Sequence, residues 1–144
     1  MFFMDKDTFF ARTMHTPDSP ERAELRDALR GVSKALKPLH RHLIEAAKSD
    51  YAFAYETVAA PARLIELLQN DPFFAWLKPL TSLIVEIDDM TRTDFDRAAA
   101  LAIGERVNTF LSDENYVAIL QREVDVAIGH AAVRTALQRL ENQH

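Results

Sequence analysis

The sequence predicts an all-α fold: a single-domain, four- to five-helix bundle with proline-kinked helices. Three observations carry it. Apolar residues recur at helical spacing, and no long stretch alternates with period two. Glycine is scarce, at 3 in 144 residues, and no Asn-Gly or Asp-Gly pair is present to close a hairpin. The 48% apolar content is enough for one ordinary core, and with 0 cysteines neither disulfides nor thiolate metal sites are open to the chain.

The first long helix opens at Ser19-Pro20. Serine is a good N-cap, proline fits the first helical position, and Glu21 suits the positive end of the helix dipole. Leu25, Leu29, Val32, Leu36, Leu39 and Leu43 follow at steps of four and three, a seam for packing on another helix. Pro38 lies inside this run and predicts a kink or broken turn near residues 35–37. The helix is expected to run on through Tyr51, Phe53 and Tyr55. Residues 1–18 are expected to be a loosely packed N-terminal segment of the one domain, 1–144.

Ala60-Pro61 restarts the chain as a short helix over 61–69, with Leu64, Leu67 and Leu68 on one side. Asp71-Pro72 then caps and opens the most apolar stretch, NDPFFAWLKPLTSLIVEIDDM. A membrane span needs about 20 mostly apolar residues. Here Lys78 and Glu86 interrupt the run, and Asp71, Asp88 and Asp89 bound it, so it reads as a buried core helix. Pro79 kinks it or splits it at Lys78. Its expected buried residues are Phe73, Trp76, Leu77, Leu80, Leu83, Ile84 and Ile87. Thr93 with Asp96 resembles a capping box for a helix to about Leu111. Ser112-Asp113 caps a last helix over 114–140.

The net charge of −5 and a pI near 5.5 exclude general nucleic-acid binding, which rests on neutralising phosphates. The opening MFFMDKDTFFARTMHT has no apolar run of signal-peptide length, so a cytoplasmic, non-membrane protein is expected. Walker-type, dinucleotide-binding and nucleophile-elbow motifs do not occur.

Several constellations remain. Of Arg22, Arg26, Arg30, Lys34, Lys37, Arg41 and Lys48, most point away from the leucine seam. They form either a basic strip for an acidic protein partner or an ordinary solvated face paired with Glu21, Glu24, Asp27 and Glu45. Of the 5 histidines (His15, His40, His42, His130 and His144), His40 or His42 could join Glu86 and Asp89 around a metal. No Glu-x-x-His pattern of di-metal bundles involves His40 or His42, so surface histidines are the better reading. His130 shares a helix face with Val126, Val133, Leu137 and Leu140. A histidine in an apolar stripe either faces a pocket or is a hydrogen-bonded core residue. Tyr51, Phe53, Tyr55, Phe73, Phe74 and Trp76 gather in the middle of the chain and could line an apolar pocket or build a solid core. Ala100 with Gly104, and Gly129 with Ala132 and Ala136, mark close helix crossings, within the subunit or across a dimer.

The run LIELLQNDPFFAWLKPLTSLIVEIDDM, with LQREVDVAIGHAAVRTAL after it, resembles a group of short all-α bacterial proteins of unassigned function. The resemblance covers roughly residues 64–137 and is centred on 71–90. It implies a bacterial source and a helical fold, and carries no site residues.

The function expected is a non-enzymatic protein-interaction or regulatory module, pairing as a homodimer and using no cofactor. A ligand or partner patch is expected at His130, Trp76, Tyr51 and Tyr55. Two alternatives stand beside it: a small-molecule-binding bundle with an aromatic-lined pocket, and a metal-dependent enzyme built on His40 or His42 with Glu86 and Asp89.

Overall fold

The computed structural model describes residues 18–143; the expectations for residues 1–17, His15 and His144 fall outside them. Among the described residues the architecture is six α-helices and one 3₁₀ helix, with no strand.

Helix α1, Pro20–Ala54, spans 35 residues. Ser19 caps it, its Oγ accepting from the Arg22 N–H at 3.2 Å. The expected seam is the core. Leu25 keeps 6% of its surface, and Leu29, Val32, Leu36, Leu39 and Leu43 keep 0%. Pro38 lies inside α1 and does not end or split it. The proline removes one backbone donor, but the buried leucines on both sides hold the two halves to the same neighbours. Each such leucine contributes about 1.5–3 kcal/mol by burial.

Helix α2, Pro61–Asn70, buries only Leu67. A 3₁₀ helix, Pro72–Leu77, follows, its first turn capped by Asp71 Oδ1, which accepts from the Phe73 N–H at 2.9 Å. Helix α3, Lys78–Met90, starts with Pro79 in its first turn. The apolar stretch is therefore split at Lys78 rather than bent. The split changes which side chains are buried. In a 3₁₀ turn residues three apart eclipse one another, so Phe74 and Leu77 share the inward direction. Phe73 and Trp76, expected inside on α-helical spacing, are only half-buried, as is Ile84.

Helix α4 is Arg97–Phe110. Its N-cap is Asp96, which accepts from the Ala99 N–H at 2.8 Å; Thr93 is not the cap. Asp113 caps α5, Glu114–Leu120, accepting from the Asn115 and Tyr116 N–H groups. The expected single last helix breaks after Leu120, and α6 runs over Val124–Glu141. No glycine or proline marks the break. At its corner Arg122 pairs with Asp50 of α1, and the turn lets Tyr116, Ile119 and Val126 all reach the core.

α1 is the central element. α6 runs antiparallel to it: Arg139 meets Asp27 at 2.9 Å at one end, and His42 Nδ1 lies 4.0 Å from Asp125 at the other. Between them Gly129 lies on Leu39, so close that a β-carbon there would stand 3.2 Å from Leu39 Cδ1. Gly104 of α4 sits likewise under Leu140 of α6. Gly104, Gly129 and buried Ala100 thus serve packing inside the subunit, while Ala132 is exposed. α3 lies antiparallel along another side of α1, and α4 bridges α3 and α6. No helix among the described residues is long and apolar enough to cross a membrane.

Candidate functional site

The four residues singled out from the sequence fall into two aromatic groups. Tyr51 is buried and lies 5.0 Å from the Tyr55 ring, which is 69% exposed. Phe73 and Phe74 complete that group, each 5.4 Å from Tyr51. Trp76 belongs to the second group. It stacks on Phe110 at 6.2 Å, Phe110 lies 5.4 Å from Tyr116, and Tyr116 lies 5.8 Å from the His130 ring. The four do not converge on one pocket.

His130 has a partner. Its Nδ1 is 2.7 Å from the Tyr116 hydroxyl. Tyr116 is fully buried, and burial pushes its phenol above the ordinary tyrosine value. Burial first, and Arg134 second, hold the His130 imidazole below the ordinary histidine value. Both groups are therefore neutral near pH 7, and the phenol can donate to Nδ1. His130 is thus half-buried and hydrogen-bonded.

Trp76 borders two open grooves. One, of about 510 Å³, lies against Phe73 and the Arg122–Asp50 pair. The other, of about 940 Å³, lies against Phe110, Arg106 and Asp113. The charged groups at the first are already paired with each other across it.

The metal constellation is dispersed. Glu86 takes a forked contact from Arg106 at 2.8 and 2.6 Å, and Asp89 is held by Arg92 at 3.2 Å. His42 faces Asp125, and His40 Nε2 lies 3.0 Å from Thr81 Oγ1. Among the described residues no group of three His, Asp or Glu side chains stands close enough to hold an ion.

The basic strip is also reduced. Arg26 is 4% exposed, so it lies inside rather than on the outer face. Arg22 donates to the Phe95 carbonyl, and Lys37 pairs with Asp88 at 3.0 Å. Arg30, Lys34 and Arg41 remain exposed.

A polar ladder that the sequence reading missed runs beside the leucine seam. Arg26, Ser33 and His40 are spaced by seven along α1 and point to α3 and the loop after it. Arg26 donates to the Thr91 carbonyl at 2.7 Å, Ser33 donates to Asp88 Oδ1 at 2.6 Å, and His40 meets Thr81. Asp88 is held below the usual carboxylate range, first by the Ser33 hydroxyl and then by Lys37. The signal was present: a polar residue every seventh position, adjoining an apolar seam, occupies the flank of a helix pair.

At the last rung the ladder opens into a third groove, of about 470 Å³, between α1, α2 and α3. Half-buried His40 stands at its edge, its pKa lowered by burial. Among the described residues no carboxylate hydrogen-bonds the other ring nitrogen of His40.

The chain matches no protein-family model, no curated protein and no solved structure.

Proposed function

We propose that this chain is a non-catalytic helical interaction module that pairs with a second copy of itself. The observation that carries the reading is the outer face of α6. That helix buries Val126, Val133, Leu137 and Leu140 on its inner side. On its outer side Val124 is 72% and Ile128 64% exposed, and Ala131 and Thr135 extend the same stripe. Residues 126–133 carry no charged side chain apart from the neutral His130. A helix apolar on both sides is ordinarily covered on both. The alanines along the outer side let another helix come close. A two-fold pairing would place the same patch on each copy, so one surface covers itself. The dispersal of the metal constellation and the lack of an oriented base support a non-enzymatic role. The cysteine-free composition fits a reducing, cytoplasmic setting.

Sedimentation equilibrium from low to high micromolar concentration tests the reading. A dimer is expected for the native chain and a monomer for Ile128→Glu, with unchanged helical circular dichroism, since the substituted side chain is exposed. A native chain that stays monomeric over that range would overturn it.

A further inference from the structure

We propose that the groove between α1, α2 and α3 binds a small organic acid with an apolar tail, of the medium-chain monocarboxylate class. The inference does not rest on self-pairing through α6, and it stands or falls separately.

The groove has two chemically distinct parts. Ile44 of α1, Ile65 and Leu68 of α2, and Leu77 supply an aliphatic wall. Ile65 is 56% exposed, because α2 turns only Leu67 into the core. Leu77 is closed off at 2%, and Ile44 and Leu68 are half-buried, so the wall is firm at its base and open to solvent along its rim. An apolar tail laid there would take aliphatic surface out of water at about 25 cal/mol per Å².

The other part is polar and sits on one turn of α3. Lys78, Thr81 and Ser82 lie within a single turn, and His40 meets Thr81 at 3.0 Å from the α1 side. Lys78 is the one charged side chain among the residues that line the groove, and no carboxylate lines it. The site therefore offers a head group the Lys78 ammonium and the Ser82 hydroxyl, and the His40–Thr81 pair, bonded to each other, keeps at most one N–H or O–H to donate. A carboxylate there gains charge-assisted hydrogen bonds, while a neutral head group gains only ordinary ones. A dication or a second lysine would be needed to favour a phosphate dianion, so a monoanion fits better.

The volume agrees. At about 470 Å³ the groove falls in the range of about 300–1,000 Å³ typical of small-molecule sites.

The test is a titration of octanoate into the ¹⁵N-labelled full chain, followed by amide shifts, with calorimetry for affinity. Saturable binding is expected, with the largest shifts at Ile65, Thr81, Ser82 and His40. Lys78→Gln should weaken it about tenfold, the worth of one charge-assisted contact. 1-Octanol, which keeps the tail and loses the charge, should also bind about tenfold more weakly. Ile65→Asp should abolish binding; like Lys78, this residue is exposed, and its substitution leaves the core intact. The proposal is overturned by an absence of saturable binding, by shifts centred elsewhere, by octanol binding as tightly as octanoate, or by Lys78→Gln binding unchanged.

Discussion

Arg26 grips Asp18 at two points, Nε to Oδ2 at 2.7 Å and Nη2 to Oδ1 at 3.1 Å, while its Nη1 donates to the carbonyls of Thr91 and Thr93. The guanidinium also lies 5.0 Å above the centre of the Phe95 ring. One side chain thus ties the start of α1 to the loop between α3 and α4. The geometry is a planar fork, which only arginine supplies.

Replacing Arg26 with alanine removes the donors of two carbonyls and the guanidinium partner of Asp18. The expected loss is about 2–4 kcal/mol, because the groups left behind are part-buried. Arg26→Lys keeps the charge but not the fork, and should fall between the native chain and the alanine variant. The midpoint of urea unfolding measures both. A loss under about 0.5 kcal/mol for Arg26→Ala, the scale of an ordinary surface change, would show that the clasp is solvent-equivalent.

Two glycines in helices predict opposite signs. A β-carbon at Gly129 would stand 3.2 and 3.3 Å from Leu39 side-chain atoms, and 3.5 Å from its backbone Cα. Gly129→Val should therefore cost about 1–3 kcal/mol by overpacking the α1–α6 crossing. A β-carbon at Gly31 would meet only the Arg139 Nη1, at 3.8 Å. Gly31→Ala should stabilise by about 0.5–1 kcal/mol through helix propensity. Thermal unfolding of the two variants side by side reads the difference in sign.

Pro38 gives a third test. It lies inside the unbroken α1, where the Lys34 carbonyl has no proline N–H to accept from. Pro38→Ala restores that donor and relieves the ring clash, for an expected gain of about 1–3 kcal/mol. A loss instead would mean that the backbone shape at Pro38 is what lets Gly129 close on the adjacent Leu39.

Much of this fold was legible in the sequence because apolar spacing and capping chemistry are local. The seam from Leu25 to Leu43, the Ser19 cap and the Asp71 and Asp113 caps are each decided within one or two turns of chain. What was missed is decided by distant partners. The break at Gln121–Glu123 carries no breaker residue, and Arg122 at its corner pairs with Asp50, more than seventy residues earlier. Phe74 displaced Phe73 and Trp76 from the core because the turn is 3₁₀ rather than α. Arg26 was placed on the outer face because a helical wheel does not show that the loop over Thr91–Thr93 will fold back upon it. For the candidate site the sequence led to His130, whose partner Tyr116 satisfies it. It named His40 only as a metal candidate and missed its groove, because the residues that make its surroundings, Ile65, Leu68, Lys78 and Thr81, lie on other helices.

The last expectation concerns pH and the Tyr116–His130 pair. Burial lowers the folded-state pKa of His130, with Arg134 adding to it, and burial alone lowers that of His40. The unfolded value is about 6.5. Below it the unfolded chain binds protons that the folded chain resists, so stability is complete above that value and is lost as pH falls through it toward the folded pKa. The urea midpoint should therefore fall on acidification below pH about 6.5. His130→Gln should flatten part of that slope, and His130→Gln with His40→Gln more of it. The carboxylates of Asp27, Glu86 and Asp88 act in a separate window. Arg139, Arg106 and Ser33 respectively hold them below the usual carboxylate range, so their stabilisation is lost only at more acid pH. Tyr116→Phe isolates the hydrogen bond itself, since it removes the hydroxyl from a fully buried ring and keeps the ring contacts to Phe110. It should cost about 1 kcal/mol at neutral pH. If the midpoint were flat through the histidine range in the native chain, or if Tyr116→Phe were as stable as the native protein, the pair would be solvated and His130 would be open to a ligand after all.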